Sequence, residues 1–277
     1  MIIEPHIHMY SRTTDDYQAM FRSGIRACVE PSFWMGCNRR YAGTFFDYFQ
    51  LILEFETIRA RRFGIDHYAA IALNPKEAED PVLANEVIDG IEAYLDHPRC
   101  VALGEIGLNN ITENERAAFE RQLAIAHRKN MPVIIHLPHV NKEKGIEGTA
   151  DVIRNEGIDV TKVLIDHNTE VCMKQARDTG CWTGMTVYPV SKLNPQRVSA
   201  LIREYGSERM IVDGSADWGV SDPLSLVKTA AFMKQDGHSA ESVNRILFDN
   251  PNRFYSASPN WKPEFGIPPL RIEEFQR

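Results

Sequence analysis

The feature that most constrains this chain is a regular alternation. Eight short runs rich in apolar and β-branched residues, at 2–8, 26–33, 67–74, 101–108, 132–138, 163–168, 182–189 and 209–214, alternate with longer stretches of helical spacing. Those stretches lie at 14–22, 44–63, 82–96, 114–130, 147–156, 170–179, 195–205 and 223–236. A strand followed by a helix of this length returns to its neighbour in parallel, and eight such units are the number that closes a barrel. The expected fold class is therefore α/β, a (β/α)8 TIM barrel. Helix starts are marked by Thr112 with Glu115 and by Asp80 before Pro81. A doubly wound open sheet would carry a Gly-rich phosphate loop after its first strand, and this sequence has none.

The 277 residues are accommodated by a single barrel domain over 1–255. A short helix is expected from Ser242 to Phe248. The tail, 256–277, interleaves Pro259, Pro263, Pro268 and Pro269 with Trp261, Phe265 and Phe275. Such a segment is expected to lie extended over the barrel or across a contact between copies of the chain, so a homo-oligomer is an expectation.

A net charge of −7 provides no basic footprint for long-range capture of a polyanion. The five cysteines are scattered without a CxxC pair, which argues against a disulfide framework or thiolate zinc site. No run approaches the roughly 18 apolar residues of a membrane span. Met1 leads directly into Ile2-Ile3 without a charged leader region, and a cytoplasmic location is expected.

Barrel enzymes carry their reactive groups at the C-terminal ends of the strands. Here those ends hold His6 and His8, Glu105, His136, Asp166-His167 and the segment Asp213 to Asp217. Two imidazoles two residues apart on a strand point to one face and can share a cation. Glu105 follows an apolar run, where a carboxylate needs a cation or an arginine. One divalent ion or a pair would satisfy these groups together. On strand eight, Asp213, Ser215 and Asp217 share parity; Asp217, nearer the mouth, is favoured over Asp213 as ligand or general base.

With these residues in place, the chain resembles the TatD-related metal-dependent hydrolases of the amidohydrolase superfamily. The likeness runs over about 1–255 and rests on His6-Ile7-His8, Gly104-Glu105-Ile106-Gly107-Leu108, His136, His167 and Asn250-Pro251-Asn252-Arg253-Phe254. It implies one metal on His6 and His8, a second on His136 and His167, Glu105 bridging them, and a strand-eight aspartate that binds metal and takes a proton from water. Three departures stand out. Asn109 replaces the aspartate after Gly-Leu, Glu4 replaces the aspartate two residues before the first histidine, and Asp213-Gly214-Ser215-Ala216-Asp217-Trp218 lacks Glu-Thr-Asp and is more similar to the Gly-Ser-Asp-Trp of other amidohydrolases with one inserted alanine; if Glu208-Arg209 is aligned with the family's pair, Ser215 falls at the aspartate.

The expected chemistry is metal-assisted hydrolysis, with Glu105 and Asp217 as catalytic groups and zinc, manganese, magnesium or iron as the ion. His139, Arg39 and Trp218 are candidate substrate contacts; Arg39-Arg40, Trp34 and Tyr41 form the one local basic and aromatic cluster. The substrate is expected to be a small or nucleotide-type molecule cleaved at a phosphodiester bond. Cleavage of a small ester, lactone or amide is the alternative, and a non-catalytic, metal-stabilised accessory protein is a third reading.

Overall fold

The computed structural model describes residues 1–270. Eight parallel strands pair in chain order: β1 (Ile2–Glu4), β2 (Ile25–Pro31), β3 (Asp66–Ile71), β4 (Cys100–Gly107), β5 (Val133–His136), β6 (Val163–Ile165), β7 (Trp182–Thr186) and β8 (Met210–Asp213). They form a nearly closed barrel. Its seam between first and last strands is tied just beyond their ends, where Ser215 N donates to His6 O at 2.7 Å and His8 N donates to Ala216 O at 2.9 Å.

The intervening helices are α1 (Thr14–Arg22), α2 (Ala42–Gln50), α3 (Glu56–Arg62), α4 (Pro81–Leu95), α5 (Glu113–Lys129), α6 (Lys142–Glu156), α7 (Met173–Asp178), α8 (Pro195–Tyr205) and α9 (Ser225–Gln235). A wider π turn, Leu51–Phe55, joins α2 to α3, so the 44–63 expectation is one nearly continuous helical stretch. The start signals act as read. Asp80 accepts from Val82 N and Leu83 N, and Thr112 and Glu115 form a reciprocal capping box.

Every strand expectation ran past the observed C-terminal end, by one to four residues. β1 stops at Glu4, β6 at Ile165 and β8 at Asp213, so His6, His8, His167 and Asp217 sit on the loops beyond. The apolar runs continued past the last ladder partner because barrel-mouth loops are themselves buried; Ile7 and Ala216 are fully inaccessible.

Inside the barrel, Ile3, Ala27, Val29, Ala70, Ala102, Ile134, Leu164 and Ile211 pack together with Tyr255 and Trp261. After α10 (Ala240–Asn244), a second π turn and α11 (Asn250–Tyr255) carry the chain beneath the barrel. The tail follows across the strand starts. Trp261 is buried against Tyr68 and Tyr255, and the Asn260 side chain donates to the carbonyls of His97 and Cys100 at the start of β4. Phe275 and the rest of 271–277 lie outside the described residues. With this end plugged by aromatic rings, the strands' C-terminal mouth is left for chemistry.

Candidate metal centre

Glu105 is the hub. It lies within β4, buried, and its Oε1 stands 2.7 Å from His167 Nε2, 3.1 Å from His136 Nδ1 and 3.8 Å from His6 Nε2. Its other oxygen accepts from Asn74 Nδ2 at 3.0 Å. Burial pushes the carboxyl pKa up, but His136, His167 and His6 outweigh it and hold the group well below the ordinary range. Burial drives His8, His136 and His167 the other way, below their usual value, which leaves neutral imidazoles. Ionised carboxylate and neutral imidazole are the forms that ligate a metal.

His6 and His8 reach this hub from the loop after β1. Their Nε2 atoms face each other at 3.2 Å, and the His8 ring stacks on Phe33 with centroids 4.0 Å apart. The far nitrogen of His6, Nδ1, donates to Asp166 Oδ2 at 2.6 Å, an arrangement that orients an imidazole toward a metal. His167 adopts a left-handed backbone, φ 61°, which turns its ring back over the mouth. Among the described residues, His136 Nε2 is buried without a hydrogen-bond partner. Ligand atoms of His6, Glu105 and His167 all fall within 4.8 Å of one another. The donor set therefore fits a divalent cation.

Strand eight is arranged differently from the expectation that favoured Asp217. Because β8 ends at Asp213 and Ser215 takes a left-handed φ of 43°, the shared parity of Asp213, Ser215 and Asp217 is broken. Asp213 is the residue within ligand distance, grouped with His6 and Asp166 inside 4.8 Å. Burial, together with Asp166 and Glu4 nearby, raises its pKa well above the usual range. Asp217 lies at the rim, where its Oδ1 accepts from Tyr188 OH at 2.9 Å and from Gly219 N at 2.7 Å.

The substrate candidates divide. His139 and Trp218 line a cavity of ≈ 180 Å³ above Glu105, together with Phe33, Trp34, Asn74, Lys76, Tyr188, Lys192 and Asp217. His139 stands 5.8 Å from His136, ring to ring, and its pKa is depressed to about 3, chiefly by burial and then by Lys192. Trp218 is 51% exposed, with its ring 5.7 Å from that of Trp34. Arg39 is not at the cavity. Its guanidinium is engaged by both carboxylate oxygens of Glu77 and lies 3.7 Å from the centroid of Phe45, so it pins the loop after β2.

Several residues escaped the sequence reading. Asn74 closes the run at 67–74, so a test of polar residues at every strand end would have found it. The same test reaches Tyr188, near the end of the run 182–189, whereas Lys76 on the short 3-10 turn Pro75–Glu77 and Lys192 on a loop are marked by no local pattern.

A family model described as TatD related DNase matches residues 5–256. The chain belongs to that family. An uncharacterized metal-dependent hydrolase of Methanocaldococcus jannaschii is 28% identical over 260 residues, covering 92% of this chain and 99% of the relative. An uncharacterized metal-dependent hydrolase of Bacillus subtilis, YabD, is 24% identical over 77% of this chain and 79% of its own length. Among solved structures, the TatD-like protein of Archaeoglobus fulgidus superposes with a TM-score of 0.76 at 23% identity, covering 92% of this chain and 99% of that one. A β-aspartyl dipeptidase of Fervidobacterium islandicum shares the fold at a TM-score of 0.62 and 12% identity, covering 91% and 74%. TatD-type proteins are metal-dependent hydrolases, and divalent metal use follows for this member. No helix among the described residues is long and apolar enough to cross a membrane.

Proposed function

We propose that this TatD-family member hydrolyses a phosphodiester bond in a small, nucleotide-type substrate. The observation that carries the proposal is the convergence of three imidazoles on one carboxylate oxygen of Glu105 at the floor of a cavity open to solvent. A closed structural site would leave no room for water and substrate, so the accessory-protein reading loses ground.

When bound, a divalent ion lowers the pKa of water and polarises the scissile phosphoryl oxygen. The residues of the chain would divide the remaining work. His6, His8, Glu105, His136 and His167 would hold the metal, with Asp166 orienting His6. Asp217, fixed by Tyr188, would accept the proton from the attacking water across the cavity. Lys76 and His139 line the cavity where anionic oxygens of a diester would lie. Phe33, Trp34 and Trp218 provide aromatic faces for a base or other flat group.

A cavity of ≈ 180 Å³ suits a small leaving group, which also favours the second reading, a small ester, lactone or amide. Metal analysis of the purified protein coupled to a screen of phosphodiester, phosphomonoester, ester and amide substrates separates them. Glu105→Gln should lower bound metal and abolish hydrolysis; unchanged metal content and activity on a confirmed substrate would overturn the proposal.

A further inference from the structure

The helical stretch that runs from α2 through the π turn to α3 lies on the outside of the barrel and has two apolar faces. One is used by the fold: Phe45, Tyr48, Phe49, Ile52 and Leu53 are buried in the main core. The other faces solvent. Leu51 is 38% exposed, and Phe55 and Ile58 are each 57% exposed. A surface helix ordinarily turns polar and charged groups outward, and exposed apolar residues are normal where they are scattered singly. Here three large ones line up along one helical face, and the barrel core makes no use of them.

The charges on that face are ordered as well. Asp47 stands one turn before Leu51, Arg62 stands one turn after Ile58, and both are exposed. Neither has an ion-pair partner among the described residues, whereas the adjacent Arg61 is held by Glu264 at 2.8 Å. Counted from Phe55, Leu51 and Ile58 lie one turn away on either side and Asp47 and Arg62 two turns, roughly 11 Å out in both directions at about 1.5 Å per residue. Inverted about Phe55, the stripe is its own complement: Leu51 falls on Ile58 and the acid falls on the base. Leu270, 39% exposed, donates its backbone N to Arg62 O at 2.9 Å and widens the apolar surface at that end.

A surface that matches its own inverse is what a twofold contact requires, because every pair of residues then occurs twice. We propose that this face docks a second copy of the chain. The two helical stretches pack antiparallel across Phe55, with Leu51 of each against Ile58 of the other and Asp47 of each paired with Arg62 of the other. Because α2 begins after β2 at the open mouth and α3 ends before β3 at the plugged end, the two mouths point in opposite directions and both stay open. A contact made by one helical stretch per chain with Leu270 beside it lies at the small end of specific interfaces, about 1,000 Å² in total. A reversible dimer with a dissociation constant on the order of micromolar is expected.

Sedimentation velocity of the full chain over roughly 1–100 µM tests this. The wild type should pass from one chain to two as concentration rises. Phe55→Glu should stay a single chain throughout with an unchanged melting temperature, since residue 55 is at the surface. Charge tests the register. Asp47→Arg alone and Arg62→Asp alone each set like charges opposite one another twice and should weaken association about tenfold or more. An equimolar mixture of those two variants restores both opposite-charge pairs and should associate as the wild type does. A wild type that stays a single chain would overturn the inference and leave the stripe to a different protein. Phe55→Glu chains that still pair would place the contact elsewhere and overturn it too, and a mixture that associates no better than its components would overturn the antiparallel pairing on which it rests. Should Phe55→Glu unfold, the charge variants decide alone.

Discussion

Replacing Gly184 with alanine should disable the metal centre from a position no sequence pattern marks. Gly184 lies on β7, packed against Asp166. A methyl group there would stand 2.2 Å from Asp166 Oδ1, 2.9 Å from its Cγ and 3.1 Å from its Cα. The carboxylate would have to retreat by about 1 Å to restore ordinary contact, and the backbone atom leaves little room for the retreat. Asp166 is not free to move. Its Oδ2 receives the His6 Nδ1 proton at 2.6 Å and its Oδ1 receives His167 N at 2.6 Å, so both metal-binding loops shift with it. Overpacking of this kind costs about 1–3 kcal/mol of stability. Disturbing the group that orients a ligand histidine costs about 10–100-fold in metal affinity. The assay is thermal melting together with metal affinity measured by competition with a chromophoric chelator. Gly43→Ala is the control: it is a helical position with nothing within 4 Å of the added methyl, and it should leave metal affinity unchanged. A Gly184→Ala protein that melts and binds metal like the wild type would refute the chain from β7 through Asp166 to His6.

Other outcomes follow from single contacts. Asp217→Asn should keep its bound metal while losing about 100-fold or more in kcat, and an active variant would remove Asp217 as the base; Asp213→Asn is the comparison for the strand-eight ligand. Arg39→Ala should destabilise the fold by about 3–5 kcal/mol through the stranded Glu77 carboxylate, with KM unchanged in the folded fraction; a raised KM would restore Arg39 to substrate binding. Glu4, buried beneath the centre, has its pKa raised to about 8, mainly by burial. The folded state of the metal-free protein thus holds a proton that the unfolded state has released above about pH 4.5. Stability should fall as pH rises from there to about 8, by at most about 1.4 kcal/mol per unit, and Glu4→Gln should remove that component. Identical pH slopes of the melting temperature for the two proteins would contradict it. Trp261→Ala should cost about 3–5 kcal/mol by opening the plugged end of the barrel, and a melting curve like that of the wild type would contradict the role of the tail.

The parts legible in the sequence share a physical origin. Strand and helix periodicities are local, so the eight βα units could be counted before any contact was known. Helix starts were legible because caps satisfy backbone groups within three residues, as Thr112 and Glu115 do. His6, His8, Glu105, His136 and His167 stood out because a polar side chain closing an apolar run is costly unless something pairs with it. Strand ends were less legible, since buried mouth loops are as apolar as the strands they follow.

What the sequence by itself determined, then, is the barrel and the group of histidines around Glu105, because periodicity and the cost of burying polarity act within short spans. Only the tertiary structure decided which aspartate lies at ligand distance, that Arg39 serves Glu77 and Phe45, and that Lys192 reaches His167 from 25 residues away. Those outcomes depend on where β8 stops, on the left-handed turns at His167 and Ser215, and on how loops from different strands meet across one mouth. Distances between such loops are set by packing of the whole barrel, and no local pattern encodes them.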